Sequence, residues 1–242
     1  MRYWSRILAL LLTVLLCIPL FSCTGDKLTT QPEKTTEGVL NWAGRGKEEQ
    51  KTTPEPELYP ITFGLSTGKN YFNPYFNLEL DLDESWFVAQ TLQLDEANSF
   101  SAEVPQGKRK KEYLDFLAQG KAVRDFYAQS NTGLLEIDIN VTKRTADDSG
   151  DPYLTDYHME YVETMRELMK QSGAELKDEN FGIFMLGEEV QTCFYYSYDF
   201  EGYTVYCAHA LIPGDDYLLS LFASSIEKDH VRELLALFFP HA

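Results

Sequence analysis

The residues with the most chemical potential in this 242-residue chain are its four cysteines, its four histidines and a run of tyrosines. Cys23 closes the tetrapeptide Leu20-Phe21-Ser22-Cys23 directly after an uncharged apolar stretch, where a thiol can be alkylated to a thioether and so carry lipid. Cys193 and Cys207 are the one candidate disulfide in the remainder of the chain, Cys17 lying inside the apolar stretch. Tyr195, Tyr196, Tyr198, Tyr203 and Tyr206 crowd around that pair and could present an aromatic surface to a sugar or a peptide. Cross-strand packing uses the same residues, so a core role stands beside the binding one. His158, His209, His230 and His241 are scattered. His158 and Glu160, two apart on a helix, do not face each other and make no metal or acid–base pair.

The acidic clusters yield no metal site. Glu79, Asp81 and Asp83 alternate along an extended segment, about 6.5–7 Å from one to the next, too far to converge on one cation unaided. Asp147-Asp148-Ser149-Gly150-Asp151 fails as a calcium loop, because placing Gly150 sixth puts Thr145 first and Tyr157 where a Glu is needed. No Gly-x-Ser-x-Gly, His-Glu-x-x-His or glycine-rich phosphate loop occurs. The sequence therefore implies no cofactor and no enzyme.

The elements around Cys23 give it meaning. Arg2 and Arg6 precede the apolar run Ile7–Ile18, and Pro19 ends it shortly before the small Ser22. Those are the features of an export signal, and the run is short for a membrane span, which needs about 20 apolar residues. The closing tetrapeptide resembles a bacterial lipobox, matched at Leu20, Ser22 and Cys23 and departing at Phe21, where a smaller residue is usual. The resemblance implies cleavage before Cys23 and a lipid on its sulfur, so residues 1–22 read as a lipoprotein signal peptide. Residues 23–60 then read as the lipidated Cys and a disordered tether, rich in Thr, Glu, Lys, Pro and Gln and too poor in apolar surface to offset ordering entropy. Val39, Leu40 and Trp42 are a brief apolar island within it.

The formal charge is −17, and removing the signal takes away two Arg and no acid. So acidic a chain is repelled by phosphate backbones, which excludes nucleic acid as the natural partner. Lys108-Arg109-Lys110-Lys111 is the one basic cluster and reads as solvated surface. With 44% apolar and 14% aromatic residues, the about 180 residues from 61 onward suffice for one packed domain.

Within 61–242, the alternation of Phe72, Pro74, Phe76, Leu78, Leu80 and Leu82 with polar residues predicts one long strand, extended or capped by Trp86-Phe87-Val88. Short helices are predicted over 95–102 and 108–118, then strands over 122–128 and 134–142. The strongest helix is 155–172, with Tyr157, Tyr161, Met165 and Leu168 on one stripe, Val162 and Met169 alongside, and Gly173 at its stop. Strands follow over 181–186, 190–198, 203–211 and 217–223, and Ser224-Ser225-Ile226-Glu227 predicts a capping box opening a last helix that stops at Pro240. A three-residue loop at Phe200-Glu201-Gly202 would put Cys193 and Cys207 on one face as diagonal neighbours. A two-residue loop would put them on opposite faces.

Asn70-Tyr71-Phe72-Asn73-Pro74-Tyr75-Phe76-Asn77-Leu78, running into Asp83-Glu84-Ser85-Trp86, resembles the opening of PsbP-like domains. The later order of long amphipathic helix, tyrosine-rich strands and short terminal helix is similar too. The family's usual Pro and Gly before the Trp are Glu84 and Ser85 here. The resemblance implies an α+β fold, an α-β-α sandwich around a mainly antiparallel sheet, over residues 61–242. It also implies an adaptor or accessory role, and it supplies no catalytic residues to carry over. The expectation is an extracytoplasmic, membrane-anchored lipoprotein with a protein partner at the cell envelope. Its alternative is a ligand-binding lipoprotein that uses the tyrosine-rich surface or a nearby cleft.

Overall fold

The structure is a computed structural model and describes residues 61, 64–100, 106–144 and 154–240. Leu20, Phe21, Ser22, Cys23 and the tether lie outside the described residues, as do Asp147–Asp151 and His241.

Asn70–Asn73 (β2) and Leu78–Asp81 (β3) form a hairpin where one strand is predicted. Pro74 cannot donate to a ladder, Asn77 adopts a left-handed φ of 50°, and the Asn73 Oδ1 accepts from the backbone N–H of Tyr75 at 3.1 Å. Asn and Pro together make a turn here that period-two alternation conceals. Leu65–Thr67 (β1) pairs on the far side of β2, and the C-terminal Phe238–Pro240 (β11) pairs with β3, completing a four-stranded antiparallel sheet.

A second, seven-stranded antiparallel sheet holds the remaining strands: Trp86–Val88 (β4), Val123–Ser130 (β5), Leu135–Lys143 (β6), Leu176–Leu186 (β7), Glu189–Phe200 (β8), Tyr203–Pro213 (β9) and Tyr217–Ile226 (β10). Its order is β4-β5-β6-β10-β9-β8-β7. Trp86–Val88 thus joins the large sheet through β5 instead of extending the strand before it.

The helices are Thr91–Ala97 (α1), Gln106–Ala118 (α2), Thr155–Ser172 (α3) and Val231–Leu235 (α4). Tyr113 and Leu117 of α2, Val231, Leu234 and Leu235 of α4, and Tyr71, Leu78, Leu80 and Phe238 of the small sheet share one core with Ile137, Ile139, Ala208, Ala210 and Leu221 of the large sheet. Helix α3 covers the opposite face, packing Val162, Met165 and Met169 on Phe194, Tyr196, Val205, Cys207 and Phe222. The described residues are therefore α+β, with helices on both faces of a large antiparallel sheet and a small sheet added on one side.

The last predicted helix is shorter than its pattern: it is the five residues Val231–Leu235, with the expected Val231, Leu234 and Leu235 buried, and strand takes both ends of the predicted span. Ser224 and Ser225 pair with β6 and β9, so β10 runs to Ile226. The Ser225 hydroxyl closes a turn, donating to the Lys228 carbonyl and accepting from the His230 N–H at 3.1 Å.

One carboxylate joins the two sheets. A bulge between Arg124 and Phe126 re-aims Asp125, whose oxygens accept from the Tyr71 hydroxyl at 2.7 Å, the Asn73 Nδ2 at 2.9 Å and the Gly64 N–H at 2.9 Å. Gly64 is obligatory at this approach, since a Cβ there would fall 2.0 Å from the Tyr71 ring.

Candidate interaction site

The tyrosines proposed as a binding surface are mostly core. Tyr195, Tyr196 and Tyr198 are buried, Tyr206 is half-buried, and only Tyr203 is open, at 42%. Strand alternation divides them: Tyr195 packs toward α4, with Arg232 over its ring at 4.3 Å, while Tyr196 and Tyr198 pack beneath α3. They do not form one surface.

The candidate disulfide is absent. Phe200 pairs with Tyr203, so the loop is the two residues Glu201 and Gly202, at φ 49° and 87°. Positive φ at both positions is the twist-matched two-residue hairpin. Cys193 consequently faces the α4 side and Cys207 the α3 side, both buried and free. Burial pushes the Cys193 thiol up to about 12 and raises Cys207 as well.

What the structure brings together instead lies under the start of α3. His158, His209 and Tyr161 meet there from a helix and a strand far apart in sequence. The His158 Nε2 and the Thr192 hydroxyl are 2.9 Å apart, the His209 Nε2 and the Ser220 hydroxyl 2.6 Å, and the Tyr161 and Tyr196 hydroxyls 2.9 Å. Tyr161 stacks on His209 at 3.6 Å. Burial, with His158 beside it, holds His209 well below the usual histidine range. The ring stays neutral and serves as a hydrogen-bonded packing surface.

Next to this layer a cleft of about 300 Å³ opens between α3 and β7, lined by Thr155, His158, Phe181, Gly182, Ile183 and Thr192. Its outer wall is the least protected part of the described chain. Phe181, Ile183 and Met185 project from one face of β7 at 51%, 55% and 51% exposure, and Val190, paired with Met185, adds 56%. Alternate residues of a strand share a face, so the four form one apolar stripe on the same sheet face that α3 packs against, beyond the edge of the helix. Such a stripe marks an interaction surface more often than an idle one.

A second buried polar group sits on the same sheet face at β5 and β6. Arg124 donates to both oxygens of the fully buried Asp138, at 3.1 and 2.9 Å. Glu136, two residues earlier, is buried, and its Oε1 has no hydrogen-bond partner among the described residues. Burial, and then the Asp138 charge, push it up to about 8. Two residues of the basic cluster form ion pairs, Arg109 with Asp95 and Lys111 with Asp115. Among the described residues no three metal-ligating side chains gather, and no helix is long and apolar enough to cross a membrane.

No protein-family model matches the chain, and no curated protein matches it in sequence. Among solved structures, it is similar to cyanobacterial PsbP (CyanoP) from Synechocystis sp. PCC 6803. That likeness has 11% identity and a TM-score of 0.45, covering 73% of this chain and 98% of that one. It is also similar to LpqN, involved in cell envelope biogenesis of Mycobacterium tuberculosis, at 14% identity and a TM-score of 0.33, covering 66% of this chain and 76% of LpqN.

Proposed function

We infer that the chain is an extracytoplasmic lipoprotein, held at its membrane by lipid on Cys23, whose folded part is a non-catalytic protein-interaction module. The observation that carries the interaction reading is the apolar stripe Phe181, Ile183, Met185 and Val190. Each of these four large side chains leaves about half of its surface in water, and of them only Phe181 has a ring contact with the core, on Phe194. The lipid reading rests on the residues before and at Cys23 and on the polar stretch after it. A diacyl group on the Cys23 sulfur through a thioether, with a further acyl chain on its α-amine, would hold firmly where a single chain holds marginally.

A photo-reactive residue placed at 183, with another at the exposed Leu92 of α1 as control, tests the module in intact cells. The expected result is an adduct with one protein from position 183 and none from position 92. Equal or absent protein adducts, with a small molecule retained in the cleft, would replace the reading with ligand binding. For the anchor, Cys23→Ser should release the protein from the envelope and remove the acyl mass; retention with unchanged mass refutes it.

A further inference from the structure

The stripe lies on a strand with one open edge. Strand β7 ends the seven-stranded sheet, paired with β8 on one side and with no described strand on the other. An open edge presents unpaired backbone N–H and C=O groups, and natural proteins blunt it with charge, proline or a bulge. The bulge in β7 lies early, between Lys177 and Asn180. From Phe181 to Leu186 the sequence is Phe-Gly-Ile-Phe-Met-Leu, six residues without charge or proline in unbroken register. Left bare, a segment of that composition is an aggregation hazard.

We propose that an extended, basic-flanked segment of a partner protein adds to the outer edge of β7 as an eighth strand, in line with the interaction-module reading on which this rests. Backbone pairing along 181–186 supplies the affinity, and side chains at alternate positions read the stripe. One large apolar side chain of the partner enters the cleft between Thr155, Ile183 and Thr192. Charge defines its flanks. Exposed Glu175, Asp178 and Glu179 precede the apolar run and exposed Glu188 and Glu189 follow it. Glu179 is already paired with Arg166 of α3 at 2.6 Å, and the one cation on the strand, Lys177, is bound to Asp199, so the flanking negative charge rests on Glu175, Asp178, Glu188 and Glu189. Lys or Arg at both ends of the incoming segment meets those acids. A second copy of this chain fits less well: a two-fold antiparallel pairing centred on Ile183 sets Asp178 beside Glu188, like against like, and opposes Glu189 only with Lys177, which Asp199 already holds.

The test uses the full chain, immobilised, and a displayed library of random peptides matched to the 11 residues of β7. Enriched peptides should show apolar residues at every second position with Lys or Arg at the ends. A selected peptide should slow hydrogen exchange of the amides of 181–186 and leave β4, the opposite sheet edge, unchanged. Ile183→Lys should weaken binding at least about tenfold, near 1.4 kcal/mol, while Phe87→Lys on β4 should not, and added salt should weaken it further. Unprotected β7 amides, or indifference to Ile183→Lys, overturns the proposal, as does an edge occupied by a second copy or by the chain's own residues 24–60. A protein adduct at position 183 without protection of β7 would leave the interaction module standing and remove strand addition alone.

Discussion

Replacing Glu136 with Gln tests whether a buried carboxyl sets the pH dependence of stability. In the folded chain burial and Asp138 push this group up to about 8, against an ordinary value of 4.5. Between those values the folded state holds a proton that the unfolded state has released. Stability from this group is therefore complete below about pH 4.5 and falls as pH rises toward 8. The slope is about 1.4 kcal/mol per pH unit, so from pH 5 to pH 8 the loss is on the order of 4 kcal/mol. Gln keeps the shape and has no proton to lose. Urea unfolding of both proteins at pH 5, 6, 7 and 8 should give curves that agree at pH 5 and diverge steadily, with the variant more stable at pH 8. Parallel curves across that range would show that Glu136 is ionised in the fold at no cost, and would refute the reasoning.

His209 works in the opposite direction. Its folded value lies below the usual 6.5, so the stability it contributes is present above pH 6.5 and is lost as pH falls below; His209→Gln should flatten unfolding midpoints between pH 7 and pH 5. Arg124→Leu strands the fully buried Asp138 and should cost about 3–5 kcal/mol in the same assay at pH 7, whereas Lys111→Leu, removing an exposed pair, should leave it nearly unchanged. Peptide mapping after alkylation should find Cys193 and Cys207 unmodified in the native protein and both labelled in denaturant, with no bridged peptide in either.

The long elements were legible because their periodicity is unambiguous. Helix 155–172 has the predicted bounds, with a left-handed Gly173 at its end, but its buried face is turned from the predicted stripe: His158, Val162, Met165 and Met169 are buried, whereas Tyr157, Tyr161 and Leu168 are half-buried at its margin. The strands of the last third were legible for the same reason, with boundaries moved by a few residues. What failed was local backbone chemistry. The alternating run from Phe72 to Leu82 has a strand's pattern on both arms of a hairpin, and only Asn73-Pro74 signals the bend. Ser224 to Glu227 satisfies a capping pattern, yet the residues are already committed to two neighbouring strands. The candidate site was illegible for a different reason. A charge-free run such as Phe181–Leu186 reads as buried, and only the order of the sheet reveals that no described strand pairs with the outer edge of β7. The meeting of His158 with His209 depends on which strand lies under the helix, which no local pattern contains.

The small sheet is assembled from the two extremes of the folded region: β3 at residues 78–81 finds one of its two neighbours at residues 238–240. A ribosome makes these segments in order, so β3 must wait for residues 238–240 before the ladder on that side can close. A chain stopped short of residue 238 would lose the seam that fastens its beginning to its end, a far larger loss than three residues suggest.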